Sequence, residues 1–449
     1  MLRYTQTEVS VITDQFSFGM ESEGMHMKKY DIIVIGGGFA GAAAAISAAR
    51  LGRSVLLVEK SNCLGGAATN CLVNPFMGNA TVVDGKHKEL SAGLLDEIRE
   101  QMMQVRAEND EHYNEEVGGL FSEEHLKLVL NRMAVGAGVQ LLFHAYLCDV
   151  NCTESRIESV KVITKAGQIE LCADYYIDAT GDADLAVLAG CSYRLGREAD
   201  QLCQPMTLCF RIGNVDIEKF YQEKNQMQEL YKQFQAEGKI KNPRENILVF
   251  RMPQKHMLHF NTTRIVKRNP VDPFDVTLAE IEAREQVFEV YQFMKRNFSC
   301  MANAELVSTA MEIGVRESRM INGEYLLTGK ELMACCRFED SIACGNYDID
   351  IHNPEGSGTS HYYFPAGEYY EIPYRTMLPK EVENLLVTGR CLSVDHEAQA
   401  SVRIMPIVCC LGEAAGVAAA VAADEGVKPS EADIHRIQEI LTANGAVIH

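Results

Sequence analysis

Three glycines at a fixed spacing mark the part of the chain with the clearest chemical signature. Gly36, Gly38 and Gly41 form the pattern GxGxxG within YDIIVIGGGFAG, between an apolar run and an Ala-rich helical stretch. In such a unit the first glycine permits a tight turn, the second lets backbone approach a pyrophosphate, and the third allows close helix packing. The helix N-terminus then faces the phosphate charge. The spacing therefore predicts a dinucleotide site.

A single carboxylate completes this signature. Glu59 ends the next apolar run, SVLLVE, where a carboxylate can accept hydrogen bonds from a ribose diol. Its charge would repel a 2′-phosphate, which disfavours NADP as the ligand. An ordinary glycine turn in an α/β protein is the alternative interpretation, but the strand, turn, helix and second strand that the motif requires are all present.

Hydrophobic periodicity predicts the elements that must position these residues. The strand DIIVI, a helix through Arg50 and the strand that ends at Glu59 make one βαβ unit. Helices are expected over residues 89–105 and 123–137, the second with Ser122 as its N-cap.

Two later helices have recognisable ends or faces. One is expected to open at Thr277, with Glu280 completing a capping box and a hydrophobic staple between Val276 and Ile281. The other covers residues 406–423 and closes the α/β pattern.

This closing helix carries small residues at a spacing of four. Gly412, Gly416 and Ala420 form a narrow face that can lie close to another element, and Pro406 suits the first turn.

Together these elements predict an α/β fold in which an inserted domain interrupts a nucleotide-binding domain. The α/β pattern stops near residue 185, gives way to short strand-like pieces and one long helix, and resumes at NLLVTG. We expect a disordered extension over residues 1–28, the first part of the nucleotide-binding domain over 29–185, an inserted α+β substrate domain over 186–374, and the second part with C-terminal helices over 375–449.

Composition excludes several classes of protein. The 42 Lys and Arg against 62 Asp and Glu give a net charge of −20, and no basic cluster is present, which argues against a nucleic-acid partner. No uninterrupted apolar run reaches the roughly 18 residues that cross a bilayer, so no membrane association is expected. The 15 cysteines are scattered and odd in number, which suits neither a disulfide framework nor a zinc site. We expect free thiols, no metal and a cytoplasmic protein.

Three further segments carry a resemblance to known flavoproteins. Gly65 and Gly66 follow Glu59, and the segments YIDATGDADLA and NLLVTGRCLS each end an apolar run in small and charged residues. With these segments the chain resembles the superfamily that includes glutathione reductase and fumarate reductase. More narrowly, it looks like the bacterial FAD-dependent oxidoreductase family. That likeness runs from Tyr30 to about Ala423 and includes GVRESRMINGEYLLT, YDIDIHNP, YEIPYRTMLP and SVRIMPIVCCLGEAAGVAAA.

The resemblance implies a Rossmann-like FAD-binding domain built on a parallel sheet. It also implies noncovalent FAD, because residues 67–69 are Ala, Ala and Thr where related dehydrogenases carry a tethering His. The residues implied to lie beside the cofactor are Gly36, Gly38, Gly41, Glu59, Lys60, Gly65, Gly66, Ala67, Ala145, Thr180, Gly181, Asp182, Gly389, Arg390, Arg403 and Pro406.

Within this implied site, the glycine pair and residues 180–182 lie along the diphosphate, residues 389–390 lie near the ribityl chain, and the strand around Ala145 contacts the adenine. The helix that begins near Pro406 directs its positive end at the flavin pyrimidine, and Arg403 adds a full charge there.

Departures from the superfamily narrow the expected reaction. Disulfide reductases carry two cysteines after the glycine pair, but Ala68 and Val73 occupy those positions, so dithiol relay chemistry at that site is excluded. We find no second GxGxxG after a strand, so a separate NAD(P)H domain is not expected. The leading interpretation is hydride transfer between a small organic substrate and flavin N5, with an unidentified electron acceptor or donor.

That chemistry needs a proton acceptor or donor and a cation for an anionic group. The candidates are His352, His396, Arg403, Arg316 and Arg319. Packing roles for the two histidines, and pairing of Arg316 and Arg319 with Glu317 or Glu324, are the structural alternatives.

Two other functions stay open at this point, as does homo-oligomerisation. One is a flavin-binding sensor without turnover. The other is a non-redox enzyme similar to thiazole synthases, which consume NAD. The glycine pair and the two later segments argue for FAD as the cofactor.

Overall fold

The computed structural model describes residues 29–83, 85–108 and 119–449, so the predicted extension over 1–28 lies outside the described residues. The strands are β1 (Lys29–Ile35), β2 (Val55–Val58), β3 (Ala80–Val83), β4 (Lys86–Glu89), β5 (Gln140–Leu142), β6 (Tyr146–Thr153), β7 (Arg156–Thr164), β8 (Gly167–Asp178), β9 (Tyr193–Leu195), β10 (Phe210–Gly213), β11 (Val249–Arg251), β12 (Leu258–Phe260), β13 (Glu305–Thr309), β14 (Arg319–Ile321), β15 (Ser341–Gly345), β16 (Ile349–His352), β17 (Thr359–Tyr362), β18 (Tyr370–Pro373) and β19 (Leu385–Val387).

The helices are α1 (Phe39–Arg50), α2 (Leu94–Glu108), α3 (Glu123–Gly136), α4 (Asp184–Leu188), α5 (Ile217–Ala236), α6 (Pro273–Asn297), α7 (Gly329–Met333), α8 (His396–Val402), α9 (Met405–Glu425) and α10 (Ile434–Ala443). Short 3-10 helices lie at Gly66–Ala68, Ser299–Met301, Tyr374–Met377, Gly389–Cys391 and Pro429–Glu431.

A seven-stranded sheet organises the nucleotide-binding part. Its order is β5-β2-β1-β8-β7-β6, and β19 also pairs with β8. The pairs of β1 with β2 and β8, of β2 with β5, and of β8 with β19 are parallel. The β6, β7 and β8 strands continue the sheet as an antiparallel meander. The predicted α/β fold with a parallel sheet is confirmed.

The central strands β1 and β2 carry continuous apolar stretches, residues 32–35 and 55–58, because both faces of the sheet are covered. Ile32, Ile33 and Val34 of β1 are fully buried, as is Leu57 of β2. Continuous apolar runs are typical of parallel strands with helices on both faces. The strand ends next to the GxGxxG turn are thereby fixed in position.

The closing helix α9 packs directly on α1. A Cβ atom on Gly412 would lie 2.2 Å from the carbonyl oxygen of Ala40, and one on Gly416 would lie 2.1 Å from that of Ala44. Only glycine therefore permits this backbone separation. The narrow face predicted for the closing helix is confirmed, and its partner is the helix that follows the glycine turn.

A second core lies in the middle of the chain. The antiparallel sheet β11-β12-β10-β13 packs with α5 and α6 around buried residues between 206 and 313. Most buried apolar residues between 320 and 374 belong instead to the core that contains α1 and α9. The exact limits 186–374 proposed for the inserted domain stay a prediction.

Two helix starts predicted from the sequence are wrong. Helix α6 begins at Pro273, four residues before Thr277, because Asp272 accepts hydrogen bonds from the backbone N–H groups of Phe274 and Asp275. The Thr277 hydroxyl donates to the carbonyl of Pro273 inside the helix, so it forms no capping box. An Asp N-cap followed by Pro is a complete helix start in itself.

The other error concerns the helix predicted over residues 89–105, which starts at Leu94 as α2. Residues 86–89 pair with β3 in a hairpin instead. The helix predicted over 123–137 matches α3, but Ser122 makes no side-chain cap hydrogen bond.

Within the described residues, α9 is the one helix long and apolar enough to cross a membrane by length and composition. The sequence criterion of an uninterrupted apolar run missed it because Glu413 lies in its middle. However, 94% of the most apolar window is buried inside the molecule. We therefore assign α9 to the protein core.

Candidate active site

The GxGxxG turn combines two crowded glycines with one open position. Gly36 has φ +97°, and a Cβ atom there would lie 2.5 Å from the carbonyl oxygen of Ala179. A Cβ atom on Gly41 would lie 1.8 Å from the carbonyl oxygen of Gly36. At Gly38, by contrast, a Cβ atom would meet no atom within 4 Å. This absence of protein neighbours leaves the space that a pyrophosphate requires beside the backbone.

Glu59 lies beside the same turn and is buried. Its carboxylate accepts hydrogen bonds from the backbone N–H groups of Gly37 at 2.5 Å and Ser61 at 2.7 Å. The Ala145 N–H donates to the carbonyl oxygen of Glu59 at 3.2 Å, which places the predicted adenine-contacting strand next to the predicted ribose carboxylate. Lys60 is half-exposed and pairs with Glu312 at 3.4 Å.

The glycine pair closes onto the first turn. The Gly65 N–H donates to the carbonyl of Gly37 at 2.9 Å, and a Cβ atom on Gly66 would lie 2.9 Å from the Cα atom of Gly38. Both residues have positive φ, +107° and +52°. The structure thus brings the two glycine motifs together, and Ala67 lies exposed in the 3-10 helix that follows.

Arg390 links the two later motifs to each other. Its Nε donates to the carbonyl of Gly181 at 2.8 Å, and one terminal nitrogen pairs with Asp182 at 2.6 Å. The other terminal nitrogen donates to the carbonyl of Val315 at 2.6 Å. Burial alone would raise the pKa of Asp182, but Arg390 outweighs it and the pKa is lowered. Its guanidinium therefore has protein partners at all three nitrogens, and a ribityl contact stays a prediction.

Asp178 ties the neighbouring turn to the end of β8. Its carboxylate accepts from the N–H and hydroxyl of Thr180 and from the N–H of Ala186. Gly181 follows with φ +78°, as the turn requires.

The start of α9 lies close to charged residues. Pro406 stands in its first turn, as predicted, and the N-cap residue Ile404 supplies no side-chain acceptor. Arg403 immediately precedes it and is mostly buried. One of its terminal nitrogens lies 3.2 Å from the carbonyl of Asp350 and 3.9 Å from the Asp350 carboxylate.

His396 forms a buried pair with Glu317. Its Nδ1 lies 2.7 Å from the Glu317 carboxylate, and Glu317 also accepts from the Gln204 N–H at 2.9 Å. Burial lowers the pKa of His396, but the hydrogen bond and charge of Glu317 outweigh it, so the pKa is raised above 6.5. Among the described residues, no partner contacts Nε2. His396 therefore has one oriented nitrogen and one available nitrogen.

His352 has the opposite environment. Its Nδ1 accepts from Arg264 at 2.9 Å, and its Nε2 lies 3.3 Å from Asp350. Because Arg264 only donates, the ring proton belongs on Nε2. Burial and the charge of Arg316 lower the pKa of His352 well below 6.5, against the opposing effect of Asp350. Both ring nitrogens of this neutral histidine are occupied by protein.

Arg316 and Arg319, which are predicted to hold an anionic group, lie in two different places. Arg316 donates to the carbonyl of Pro205, to Thr207 and to Asn261, and no carboxylate among the described residues pairs with it. Arg319 instead pairs with Asp184 and donates to the carbonyl of Asp182, beside the nucleotide motifs. The alternative pairing of both arginines with Glu317 or Glu324 is not what the structure shows.

Sequence reasoning missed several members of the site: Gln204, Arg264, Glu317 and Asp350. Asp350 and Glu317 stand within segments already noted for their resemblance, one as the polar position in the strand YDIDIH and the other inside GVRESRM. Gln204 and Arg264 carry no local signal, since the site residues that they contact, Arg403 and His352, are 199 and 88 residues away.

A parallel sheet with a GxGxxG turn, an open second glycine and a carboxylate after the second strand defines a dinucleotide-binding protein of the Rossmann-like class. The chain belongs to the FAD dependent oxidoreductase family, whose model matches residues 31–441. It is therefore an FAD-dependent oxidoreductase, and FAD is its cofactor. The open space at Gly38 and the buried acceptor Glu59 fit the diphosphate and ribose of that cofactor.

Similarity to individual curated proteins is limited in extent. Soluble pyridine nucleotide transhydrogenase of Mycobacterium bovis is 52% identical over 44 residues, which are 10% of this chain and 9% of that protein. Thiamine thiazole synthase of Aeropyrum pernix is 30% identical over 183 residues, 38% of this chain and 61% of that protein. The matches thus span less than two thirds of these relatives.

Among solved structures, the chain is similar to a geranylgeranyl bacteriochlorophyll reductase-like protein from Thermoplasma acidophilum. The TM-score is 0.45 at 13% identity, over 93% of this chain and 83% of that one. It is also similar to a flavin-dependent brominase, with a TM-score of 0.47 at 12% identity, over 93% and 84% of the two chains.

Proposed function

We propose that the protein oxidises or reduces a small organic substrate by hydride transfer at N5 of noncovalently bound FAD. When bound, FAD supplies the hydride acceptor or donor. The observation that carries the proposal is the pair of His396, the first residue of α8, and buried Glu317, which leaves one ring nitrogen available.

His396 is the proton-transferring residue of this proposal. When a CH–OH or CH–NH group of the substrate is oxidised, Nε2 of neutral His396 would accept the proton released from the oxygen or nitrogen. Glu317 holds Nδ1 and stabilises the imidazolium that results. Gln204 holds Glu317 in turn through its backbone N–H.

Electrons leave or enter through a separate carrier in this proposal. Ala68 and Val73 supply no thiol at the positions that disulfide reductases use. The nearest cysteines on either side of the glycine pair, Cys63 and Cys71, are buried, and burial raises the pKa of both thiols, that of Cys71 to about 12. A buried protonated thiol is a poor nucleophile, which argues against a dithiol relay.

Anaerobic reduction of the flavin tests the proposal. The purified protein is expected to be yellow and to release FAD on denaturation without proteolysis. A panel of hydroxy acids, amino acids and reduced carriers is then screened for loss of flavin absorbance, followed by single-turnover rates with the best reductant. Flavin that no metabolite reduces, although dithionite does, would support a sensor instead.

A second candidate is a non-redox enzyme that consumes NAD, which the 183-residue similarity to a thiamine thiazole synthase favours. Analysis of the released nucleotide separates the two. FAD alone supports hydride transfer, whereas NAD or an adenylated product supports the second candidate.

A further inference from the structure

Four arginines converge around His352 and Asp350. Arg264 contacts His352, His352 contacts Asp350, and Arg403 lies against the Asp350 carbonyl, at 2.9, 3.3 and 3.2 Å. Arg316 reaches the same region through Asn261 at 3.2 Å, three residues before Arg264. Arg244 lies beside Glu245, whose carboxylate is 3.3 Å from Arg264. We call Arg244, Arg264, Arg316 and Arg403 the arginine cluster.

The arginine cluster carries more positive charge than its surroundings neutralise. Only Glu245 and Asp350 among the described residues form ion pairs with its members. His352 stays neutral, Asp348 is engaged by His361, and Glu317 is engaged by His396. Four guanidinium groups against two carboxylates leave two positive charges.

Mutual repulsion is visible in Arg316. The pKa of Arg316 is lowered to about 9, first by burial and then by the positive charges of Arg403, Arg244 and Arg264. Burial and Arg244 likewise lower the pKa of Arg264 to about 10. A buried excess of like charge is costly unless an anion offsets it.

Arg244 is the member whose two terminal nitrogens have no hydrogen-bond partner among the described residues. It is 5% exposed, and only its Nε has a side-chain acceptor, Asn246 at 3.5 Å. In the part of the chain that the structure describes, no hydrogen bond or ion pair reaches either of its terminal nitrogens. The buried hydroxyl of Tyr231 also lacks a partner there. The two terminal nitrogens of Arg244 are thus left without acceptors. Their planar arrangement matches the two oxygens of a carboxylate or a phosphate.

We propose that the arginine cluster binds the substrate of the redox reaction, and that this substrate is a small organic acid with two negative charges. Arg244 supplies the specificity by forming a bidentate contact with the second anionic group, while Arg403 and Arg316 hold the first. The inference rests on the proposed hydride transfer. Its ligand chemistry is that of a dicarboxylate or of a phosphorylated acid.

Binding of redox-inert anions to the FAD-loaded protein tests this separately from turnover. Malonate, inorganic phosphate and acetate are titrated at constant ionic strength while the flavin spectrum and thermal unfolding are followed. Malonate or phosphate is expected to bind at least tenfold more tightly than acetate. Whichever of the two dianions binds more tightly identifies a carboxylate or a phosphate as the second group.

Arg244→Gln should reduce dianion affinity roughly 10- to 100-fold, the loss of one charge-assisted contact, and leave acetate unchanged. The dianion affinity of Arg244→Lys should lie between those of wild type and Arg244→Gln. The matched control is Arg436→Gln, which removes an arginine at the surface. The flavin spectrum shows that each variant is folded. Equal binding of all three anions, or unchanged dianion affinity in Arg244→Gln, would overturn the inference even if hydride transfer is demonstrated.

Discussion

At the scale of single residues, the two candidate histidines differ because of what lies opposite each ring. His396 faces a carboxylate, Glu317, which favours its protonated form. His352 faces Arg264 at Nδ1 and lies near Arg316, which favour its neutral form. The same residue type is therefore suited to proton transfer in one position and to holding Asp350 in the other.

The pH dependence of flavin reduction distinguishes these roles. As a base, His396 must be neutral, so the rate should rise with pH through a pKa above 6.5. Glu317→Gln removes the group that raises this pKa, and burial remains, so the rising limb should shift to lower pH. His396→Gln should lower the rate roughly 10²- to 10⁴-fold and abolish the limb.

Single-turnover reduction across pH 5 to 9 measures both effects, and the exposed His435→Gln serves as control. A limb that stays in place in Glu317→Gln would assign His396 a packing role.

The sequence could nominate both histidines but could not assign their charge states. Glu317 lies 79 residues from His396, and Arg264 lies 88 residues from His352. No local pattern encodes such distant partners. The GxGxxG motif was predictable because its three glycines, strand and helix are contiguous in the chain, so local geometry suffices to define them.

At the scale of elements, the turn between β1 and α1 separates two kinds of glycine. Gly36 and Gly41 are required by the fold, since a Cβ atom on either would collide with backbone. Gly38 has φ −60° and ψ −177°, a conformation that any residue adopts, and free space around it. The fold therefore does not require its absent side chain, and we propose that the pyrophosphate of FAD does.

Gly38→Ala should leave the urea midpoint of the FAD-free protein unchanged and weaken FAD binding at least about tenfold, because the methyl group occupies the space of the pyrophosphate. Gly41→Ala should reduce both the urea midpoint and the FAD affinity, since its Cβ atom would lie 1.8 Å from the Gly36 carbonyl oxygen. Fluorescence titration with FAD and urea unfolding measure the two properties. Wild-type FAD affinity in Gly38→Ala would refute the assignment of the second glycine.

The contact between α1 and α9 offers a matched test of packing. Gly412→Ala should destabilise the protein by about 1–3 kcal/mol, because the new methyl group would lie 2.2 Å from the Ala40 carbonyl. Gly136→Ala is the control: this exposed glycine ends α3 and has no atom within 4 Å of a new Cβ. There the change should be neutral or stabilising by up to about 1 kcal/mol. Equal unfolding free energies for the two variants would contradict the packing.

Element boundaries were less predictable than element types. Thr277 and Glu280 have the spacing of a capping box, yet Asp272 and Pro273 make an earlier start. Both patterns are locally valid, and the choice depends on the preceding loop. There the backbone N–H of Asn269 donates to the Asp275 carboxylate in the first turn, and the Asn269 side chain accepts from the Val271 N–H.

At the scale of the whole molecule, the net charge is negative while one buried region is positive. The net charge of −20 describes the whole sequence, while the arginine cluster retains an excess of buried positive charge. Two buried carboxyls add a further asymmetry. Burial raises the pKa of Asp178 to about 6 and that of Glu413 to about 7. Such groups make stability depend on pH.

The direction of that dependence follows from Glu413. Its folded pKa of about 7 exceeds the ordinary 4.5, so the unfolded chain releases the proton first as pH rises. Stability should therefore fall between about pH 4.5 and 7 and stay low above. Asp178 acts in the same direction from 3.8 to about 6. His396, with its raised pKa, also loses its stabilising contribution as pH rises above 6.5.

Glu413→Gln should remove its share of this loss. The carboxylate accepts from the Leu94 N–H at 3.2 Å, a bond that the Gln carbonyl can keep without ionising. We compare the free energy of unfolding of the variant with that of wild type at each pH. The difference should shift in favour of the variant by up to about 3 kcal/mol from pH 5 to pH 8, the free energy that corresponds to the raised pKa. Urea unfolding of the FAD-saturated protein at both pH values measures this gain, with the exposed Glu439→Gln as control. A difference between variant and wild type that is the same at both pH values would mean that the Glu413 carboxyl, which interrupts the apolar sequence of α9, is already ionised in the folded protein at pH 5.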